Sequence, residues 1–257
     1  MDFNSFARYL FIFAHPDDEI YTCAFISKLV QEGKEVYLMY VTSGDYQGAE
    51  LGPMRETEVL QSAQLTGVSA ENVHFFRIPE RQLMASVPDA VVRTSKLVAA
   101  LKPDCIVGHD FEGGHNGHDA VSLCASLAAM ASAIPLYVFP AYHGWPERRI
   151  WNQFIPGREI TETLTLTPDQ HELQDKVIAV HSTQTDFFNA IKSSSSYNLL
   201  SKREILRFVS EPIDYTQPPE NPLGYEYPGS KLTFTSFISA IASALTGAGI
   251  EPDSQPK

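Results

Sequence analysis

The residues best suited to chemistry follow an apolar run near the start of the chain. The run Phe11–Phe13 leads into Ala14–Glu19, which places one imidazole and three carboxylates within five residues. His15 and Asp18 are three residues apart, so both side chains can face one point. Imidazole nitrogen and carboxylate oxygen are ligands that Zn²⁺ and similar divalent ions accept. The segment could therefore form half of a metal site, although a solvated acidic turn has the same composition.

A second group of such residues lies at positions 108–119, where His109, His115 and His118 occur among glycines. Glycine lets the backbone turn tightly and approach a ligand closely. Because His115 and His118 are three residues apart, one could bind a metal ion while the other faces a substrate. Imidazoles and a carboxylate from two strand ends would leave one coordination position open to water, as in catalytic zinc sites. The alternative is a polar loop with hydrogen-bonded histidines.

The elements that must position these groups alternate between strand and helix patterns over the first 140 residues. The predicted strands are Tyr9–Phe13, Glu35–Val41, Asn72–Phe76, Asp104–Val107 and Leu136–Phe139. The predicted helices are Tyr21–Glu32, Pro53–Leu65, Pro88–Leu101 and Gly117–Ala133. This rhythm predicts an α/β fold, a Rossmann-like three-layer sandwich with a mainly parallel sheet. The active site is then expected at the carboxyl ends of the strands, where the polar clusters at His15–Glu19, Thr42–Asp45 and Gly108–Asp119 would meet.

The rhythm changes after Pro140. A strand is predicted at Ile160–Leu166, followed by a helix that Thr167 caps and Pro168 begins. The remaining predictions are a flexible loop at Ser193–Ser196, an irregular extended segment at Pro212–Pro228, and a packing helix or loose tail at Phe234–Ile250. We expect a single domain over residues 1–257, with a core at about 8–185 and an extension at about 186–257. The part beyond Pro212 is expected to shape a pocket mouth or a subunit contact.

The composition of the chain restricts the kinds of partner that we expect the protein to bind. The chain has 19 basic and 31 acidic side chains, a net charge of −12 that would repel nucleic acid and anionic membranes. The three cysteines lie in apolar stretches and are expected to be reduced, which favours a cytoplasmic location. No apolar run reaches the length of a membrane span, and we expect neither a secretion signal nor membrane insertion.

The motifs resemble those of the PIG-L/LmbE-like family of metal-dependent N-acetylglucosamine deacetylases. Ala14–Glu19 matches the family's first signature, and Glu112–Asp119 is similar to its second motif. Arg55–Glu58 with Leu65–Val68 resembles the segment between them, and Lys176–Gln184 resembles a later stretch. The resemblance covers about residues 8–185, and its first motif is the most specific.

The resemblance implies a role for each matched residue. His15, Asp18 and His118 would hold the metal, which would be Zn²⁺ or another divalent transition metal. Asp17 would be the general base that takes a proton from the attacking water. His115 would stabilise the oxyanion or protonate the leaving amine. For Arg55, the resemblance implies a hydrogen bond to the polar substrate.

One position departs from the family pattern. The acidic or Asn residue that precedes the second-motif histidine is Gly117 here. In the family, that side chain is expected to orient the catalytic histidine, so the alignment of His115 is the open question. Asn116, Asp119 or Asp110 could substitute for it.

The roles of several other polar residues stay open. His109 could line the pocket, and His143 could shape a sugar site or lie in a surface loop. Asp45 and Glu80 follow strands and could reach substrate hydroxyls. His181 is expected to support the fold or the residues around the metal rather than bind it.

The sequence therefore predicts a zinc-dependent hydrolase that removes an acetyl or other acyl group from the nitrogen of an N-acetylated amino sugar or its conjugate. Relatives of this kind commonly assemble, so a homo-oligomer is a further expectation. The alternatives are a metal-dependent hydratase of a small unsaturated acid and an amidase acting on a non-sugar conjugate. A nucleotide-binding domain is disfavoured, because no Gly-x-Gly-x-x-Gly follows the first strand and Asp17–Glu19 would repel a phosphate there.

Overall fold

The apolar runs form strands and the amphipathic segments form helices in the computed structural model, which describes residues 2–145, 149–193 and 200–248. The strands are β1 (Arg8–Phe13), β2 (Glu35–Thr42), β3 (Val73–Ile78), β4 (Cys105–His109), β5 (Leu136–Phe139), β6 (Tyr142–His143), β7 (Ile150–Trp151), β8 (Glu162–Thr165) and β9 (Arg203–Phe208). The α-helices are α1 (Cys23–Gln31), α2 (Leu51–Thr66), α3 (Leu83–Leu101), α4 (Asn116–Ser132), α5 (Pro168–Val180), α6 (Thr185–Ser193) and α7 (Phe234–Gly247).

One sheet of seven strands organises the molecule, in the order β3-β2-β1-β4-β5-β9-β8. The five strands from β3 to β5 pair in parallel, and β9 and β8 extend the sheet in antiparallel pairs. The order reverses between β1 and β4, which is the position where open α/β sheets form their binding crevice. The carboxyl ends of these two strands carry the two motifs, so the predicted gathering of polar clusters at one sheet edge is confirmed.

Helices cover both faces of the sheet and enclose two apolar cores. Along β1, Tyr9, Phe11 and Phe13 enter the core that α1, α2, α5 and α6 complete. The alternate residues Leu10 and Ile12 enter the core that α3, α4 and α7 complete. A strand buried on both faces reads as a continuous apolar run, which is why the sequence predicts it so clearly. The predicted three-layer α/β sandwich is confirmed.

Several predicted boundaries differ from the structure. Helix α3 begins at Leu83, five residues before Pro88, which lies inside the helix. Pro88 is the sixth residue of α3, beyond the four N–H groups that lack an intrahelical acceptor, so its missing N–H removes one intrahelical hydrogen bond. Strand β4 extends to His109, so this histidine lies at the end of a buried strand rather than in the loop. Strand β8 is shorter than the predicted Ile160–Leu166.

The later part of the chain contains an element that the sequence did not reveal. Strand β9 was not predicted, because its charged residues hide the strand pattern. The segment Pro212–Pro228 is irregular, as predicted, and α7 packs against the core. The predicted loop at 193–196 lies mostly outside the described residues, as does the end of the predicted extension. The three cysteines are buried and form no disulfide. None of the described helices has both the length and the apolar character that crossing a bilayer requires.

Glu204 of β9 explains why this charged strand belongs in the sheet. Its carboxylate accepts hydrogen bonds from the backbone N–H groups of Ala24, at 2.8 Å, and of Phe25, at 2.7 Å. These groups lie in the first turn of α1, where no intrahelical acceptor exists, and a negative charge there also interacts favourably with the helix dipole. Glu204 therefore acts as a cap supplied from 180 residues away in the sequence.

We expect Glu204→Ala to lower the free energy of unfolding by about 1–3 kcal/mol, because two buried N–H groups lose their acceptor. Urea denaturation followed by circular dichroism measures this loss. The control is Glu211→Ala, which removes an exposed carboxylate. Equal stability of the two variants would contradict the capping role.

The same residue predicts a pH dependence of stability. Burial raises the pKa of Glu204 from 4.5 to about 7, even though the helix amides oppose the shift. Folding therefore favours the protonated carboxyl, and the contribution of Glu204 to stability falls as the pH rises from about 4.5 to 7. We expect this part of the pH dependence to be absent in Glu204→Gln, which denaturation at a series of pH values would show.

Candidate metal centre and active site

The loop after β1 places its polar side chains by holding the backbone in a rare conformation. Asp17 has φ 153° and ψ −11°, a region that residues with side chains seldom adopt. Arg55 of α2 holds the loop there, since its Nη2 donates to the carbonyl of Pro16 at 2.6 Å and lies 3.0 Å from Asp17 Oδ2. The N–H of His15 donates to Asp18 Oδ2 at 2.7 Å. Such local strain is typical of functional sites, where the surrounding structure enforces it.

Potential metal-ligand atoms of three residues converge in the pocket, where His15 and Asp18 come from the loop after β1 and His118 from α4. His15 Nδ1 lies 3.2 Å from His118 Nε2 and 3.4 Å from Asp18 Oδ2. His118 Nε2 lies 3.4 Å from Asp18 Oδ1. Tetrahedral zinc ligands at 2.0–2.1 Å from the ion are about 3.3–3.4 Å apart. The donor set therefore fits a divalent ion in both its chemistry and its spacing.

His109 adds a third imidazole beside Asp18. It is fully buried, and its Nε2 lies 3.1 Å from Asp18 Oδ2 and 3.1 Å from the backbone N of Ala14. Its ring stacks on that of His118, with centroids 4.2 Å apart and planes 16° apart. Two nearly parallel rings cannot both direct in-plane lone pairs at one ion. With His118 as a ligand, His109 is therefore placed to support Asp18 rather than to bind the same ion.

The alignment of His115 depends on the backbone of Gly117. His115 is the N-cap of α4, and its Nδ1 accepts the N–H of Gly117 at 3.0 Å. In a neutral imidazole, this bond leaves the proton on Nε2. A Cβ on Gly117 would lie 2.9 Å from His115 Nδ1, so the missing side chain makes room for the ring.

Two of the three residues that could substitute for the missing acidic side chain, Asp119 and Asp110, form hydrogen bonds with other groups. Asp119 accepts the N–H groups of Glu112 and Gly113, at 3.2 and 3.0 Å. Asp110 is bound by Arg158 and by Arg207, the latter at 2.8 Å. The group that bonds to His115 Nδ1 is instead the backbone N–H of Gly117. Asn116 lines the pocket.

The surroundings of the site shift the pKa values of two adjacent carboxyls, Asp17 and Asp18, in opposite directions. Burial alone would raise the pKa of Asp18, but His118, His109 and His15 together hold it well below its usual range. Burial raises the pKa of Asp17 to about 6, and Arg55 limits the shift. Asp18 is thus suited to stay ionised as a ligand, whereas Asp17 is suited to exchange a proton near neutral pH.

The neighbouring histidine is held neutral. Burial lowers the pKa of His115 to about 3, and His15 and His118 add to the effect. A neutral imidazole that already accepts at Nδ1 can donate a hydrogen bond from Nε2. This donor lies in the pocket that also contains Asp17.

A network of buried polar groups packs against the loop after β1 and stabilises it. His181 Nε2 lies 2.8 Å from Glu19 Oε1, and both side chains are buried. Glu58 of α2 accepts hydrogen bonds from Ser182 and Thr183, which follow α5. His181 therefore supports the fold, as expected from the sequence, rather than lining the metal position.

The cavity above the candidate metal position has a volume of about 470 Å³. Its lining includes Tyr225, Tyr227 and Leu232 of the C-terminal segment, so the part beyond Pro212 helps to shape the pocket, as one of the two expectations for it held. Gly224 N donates to the carbonyl of Gly113 at 2.8 Å and so attaches the segment to the second motif. His143 bonds to Glu220 at 2.9 Å and is buried.

The structure shows the hydrogen-bond partners of Glu80 and Asp45, two residues after strands whose roles the sequence left open. Glu80 Oε1 lies 3.0 Å from His15 Nε2, and Asp45 Oδ1 accepts the backbone N–H of Glu80 at 2.8 Å. Burial raises the pKa of Glu80, but the adjacent His15 outweighs this and lowers it to about 2. The only signal in the sequence was the position of each residue just after a strand.

The fold and the donor set thus define an α/β protein with a candidate metal centre at the reversal of strand order. Residues 10–129 match the family model described as PIG-L: GlcNAc-PI de-N-acetylase. This match over residues 10–129 confirms the resemblance inferred from the motifs.

Several known proteins with a similar sequence or fold are named as deacetylases, and one with a similar fold is named as a hydratase. The probable N-acetylglucosaminyl-phosphatidylinositol de-N-acetylase of Dictyostelium discoideum is 36% identical over 72 residues. This match covers 26% of this chain, and the chain spans only 26% of that relative. N,N'-diacetylchitobiose deacetylase from Pyrococcus horikoshii superposes with a TM-score of 0.58 at 18% identity, covering 80% of this chain and 85% of that one. The zinc-inhibited form of teicoplanin deacetylase Orf2 gives 0.59 at 11%, covering 79% and 99%. At these identities, the structural similarity shows the fold.

We expect the purified protein to bind about one Zn²⁺ per chain, because the two groups of possible ligands among the described residues, His15/His115/His118 and Asp18/His109/His118, share His118 and so belong to one centre. His118→Ala should lose more than the 10–100-fold in affinity that removal of a ligand's hydrogen-bond partner typically costs. Elemental analysis and titration against a competing chelator measure both quantities. His171→Ala is the control, because His171 is half-exposed on α5. A wild-type protein without zinc affinity would refute the metal site, and unchanged affinity in His118→Ala would exclude His118 as a ligand.

Proposed function

We propose that the protein is a metal-dependent N-deacetylase that removes an acyl group from an N-acetylated amino sugar or sugar conjugate. The observation that carries the proposal is the convergence of His15, Asp18 and His118 at ligand spacing, with Asp17 and His115 in the same pocket. Amide hydrolysis requires a nucleophilic water, a polarised carbonyl and a proton for the leaving amine. This group of residues can meet all three requirements.

His15, Asp18 and His118 would hold the metal ion, with Zn²⁺ as the proposed ion. When bound, such an ion supplies Lewis acidity, which polarises a carbonyl and lowers the pKa of water. The three protein ligands would leave a position open toward the cavity, as a catalytic site requires. The ionised state of Asp18 suits this role.

Asp17 is the proposed general base. Its carboxyl is adjacent to the metal ligands in the chain, lines the pocket and has a pKa raised to about 6 by burial. A base with a pKa near the working pH is efficient, because it is mostly ionised and still binds a proton readily. Arg55 Nη2 fixes Asp17 Oδ2 at 3.0 Å, which orients the carboxylate.

His115 is the proposed donor to the reacting amide. With its proton on Nε2, it can hydrogen-bond to the carbonyl oxygen as that oxygen becomes anionic, which is oxyanion stabilisation. The C–N bond then breaks as the nitrogen gains a proton, and the proton that Asp17 took from water balances this transfer. Acetate and a primary amine are the products.

Arg55 is still proposed to bind substrate, but few of its N–H donors are free to do so. Its Nε and Nη2 both donate to Pro16 O, its Nη1 donates to Gly44 O, and its Nη2 also contacts Asp17. A guanidinium has five N–H donors, so one N–H on Nη1 is left for a substrate. Most of the side chain therefore stabilises the loop around Asp17.

The proposed substrate class is supported by the residues that line the cavity and by the names of the relatives. Charged and polar groups lie at its bottom, and Tyr46, Tyr225 and Tyr227 lie along its wall. Aromatic faces suit the C–H surfaces of sugars. The relatives named for N-acetylglucosaminyl-phosphatidylinositol and N,N'-diacetylchitobiose support an amino sugar with a further group attached. A hydratase of unsaturated acids and an amidase of non-sugar conjugates remain alternatives, and the intact Ala14–Glu19 motif favours hydrolysis.

Asp17→Asn should lower kcat by about 10²–10⁴-fold, the usual contribution of a general base, while zinc affinity is retained. The assay measures released primary amine from a panel of N-acetyl sugars and conjugates, with and without a chelator. Asp89→Asn removes an exposed carboxylate and serves as the control. Full activity of Asp17→Asn would exclude Asp17 as the base. If only unsaturated acids are consumed, the hydratase alternative replaces the proposal.

Gly117→Ala should lower kcat/KM by about 10²-fold, because a displacement of about 1 Å in a catalytic group can cost that much. The new Cβ would lie 2.9 Å from His115 Nδ1 and force the ring to move. Zinc affinity should change little. Gly247→Ala, near the end of α7 with open space around the added methyl, is the control. An unchanged kcat/KM would show that the position of the His115 ring does not limit the reaction.

A further inference from the structure

His15 has a different partner on each ring nitrogen. Its Nδ1 faces Asp18 and His118 in the candidate metal centre, at 3.4 and 3.2 Å. Its Nε2, on the other side of the ring, lies 3.0 Å from Glu80 Oε1. The imidazole is therefore placed between a carboxylate and the converging ligand atoms.

Glu80 is held in this position by the backbone around it. It begins the short 3-10 helix Glu80–Gln82 directly after β3, and its N–H donates to Asp45 Oδ1 at 2.8 Å. Arg81 donates to the carbonyl of Tyr46 at 3.0 Å, which attaches the same turn to the loop after β2. The side chain of Glu80 is 11% exposed, so water competes little for its carboxylate.

An ionised carboxylate only accepts hydrogen bonds, so the contact with Glu80 requires a proton on His15 Nε2. The Nδ1 of a neutral ring is then an unprotonated lone pair, which is the form that binds a metal ion. We propose that Glu80 is a positioning residue of the metal centre, one that fixes the ring orientation and tautomer of His15 so that Nδ1 faces the ion. A carboxylate behind a ligand histidine is a recurrent way to raise the basicity of the ligand.

The other ligand histidine lacks such a partner in the described part of the chain. His118 Nδ1 is buried and has no hydrogen-bond partner there, and its ring is placed by stacking on His109. His15 is therefore the ligand whose orientation depends on a hydrogen bond. The inference rests on the proposed metal-dependent function, and it differs from the alternative in which Glu80 binds a substrate hydroxyl.

Glu80→Gln tests the inference, because the amide keeps the size of the side chain but removes its charge. We expect zinc affinity to fall about 10–100-fold, as for other hydrogen-bond partners of metal ligands. Chelator competition measures the affinity, and the visible spectrum of the Co²⁺-loaded protein reports the ligand field around the ion. Unfolding of the metal-free protein shows whether the variant folds.

Glu220→Gln is the matched control. Glu220 also contacts a histidine, His143 Nδ1, at 2.9 Å, but that histidine binds no metal in the proposed site. This control should leave zinc affinity and the Co²⁺ spectrum unchanged. If Glu80→Gln does not fold, Asp45→Ala removes the acceptor of the Glu80 N–H and should lower zinc affinity in the same direction.

Three results would distinguish the possible failures. Unchanged zinc affinity and Co²⁺ spectrum in Glu80→Gln, with a raised KM alone, would overturn the inference and assign Glu80 to substrate binding. An equal loss of affinity in Glu220→Gln would also overturn it, since the effect would not depend on His15. A wild-type protein with no zinc affinity would instead refute the proposed metal-dependent function itself.

Discussion

The burial of one negative charge, on Asp18, determines how the rest of the site is built. Its carboxylate is almost entirely removed from water, a state that costs several kcal/mol unless partners compensate it. The compensation comes from the N–H of His15 and from the rings of His109 and His118. These partners come from the loop after β1, from β4 and from α4, which meet where the carboxyl ends of the two strands lie side by side. A metal ion at the same point would complete the compensation.

The order of the strands makes this meeting possible. Because β1 and β4 are parallel neighbours, the chain leaves both at the same edge, and α4 then starts beside the loop after β1. The glycine at the second position of α4 brings His115 against its own helix backbone, so a backbone amide replaces the side chain expected at that position. His115, the proposed catalytic histidine, is therefore oriented by a backbone N–H group rather than by a side chain.

Much of the site could be predicted from the sequence, because strand ends and ligand types are local features. Examples are the alternation of strands β1 to β5 with helices, and the ligand-type residues His15, Asp18 and His118. Features that depend on distant contacts could not be predicted. Strand β9 carries Glu204, whose charge is stabilised by the first turn of α1, and no local pattern indicates such a partner. The contact between Glu80 and His15 likewise depends on the spacing of β1 and β3, which flank β2.

One part of the chain matches the family model and another part does not, and this division bears on the specificity for substrate. All the residues proposed to bind metal or transfer protons lie within the range that matches the family model, residues 10–129. The wall formed by Tyr225, Tyr227 and Leu232 lies outside that range, on a segment attached to the second motif through Gly224. In the proposed function, the reaction would be common to the family, and the group attached to the sugar would contact a part of the chain that the family match does not cover. Because Gly224 N donates to Gly113 O, this wall segment is attached to the loop that leads to His115, the proposed donor to the substrate.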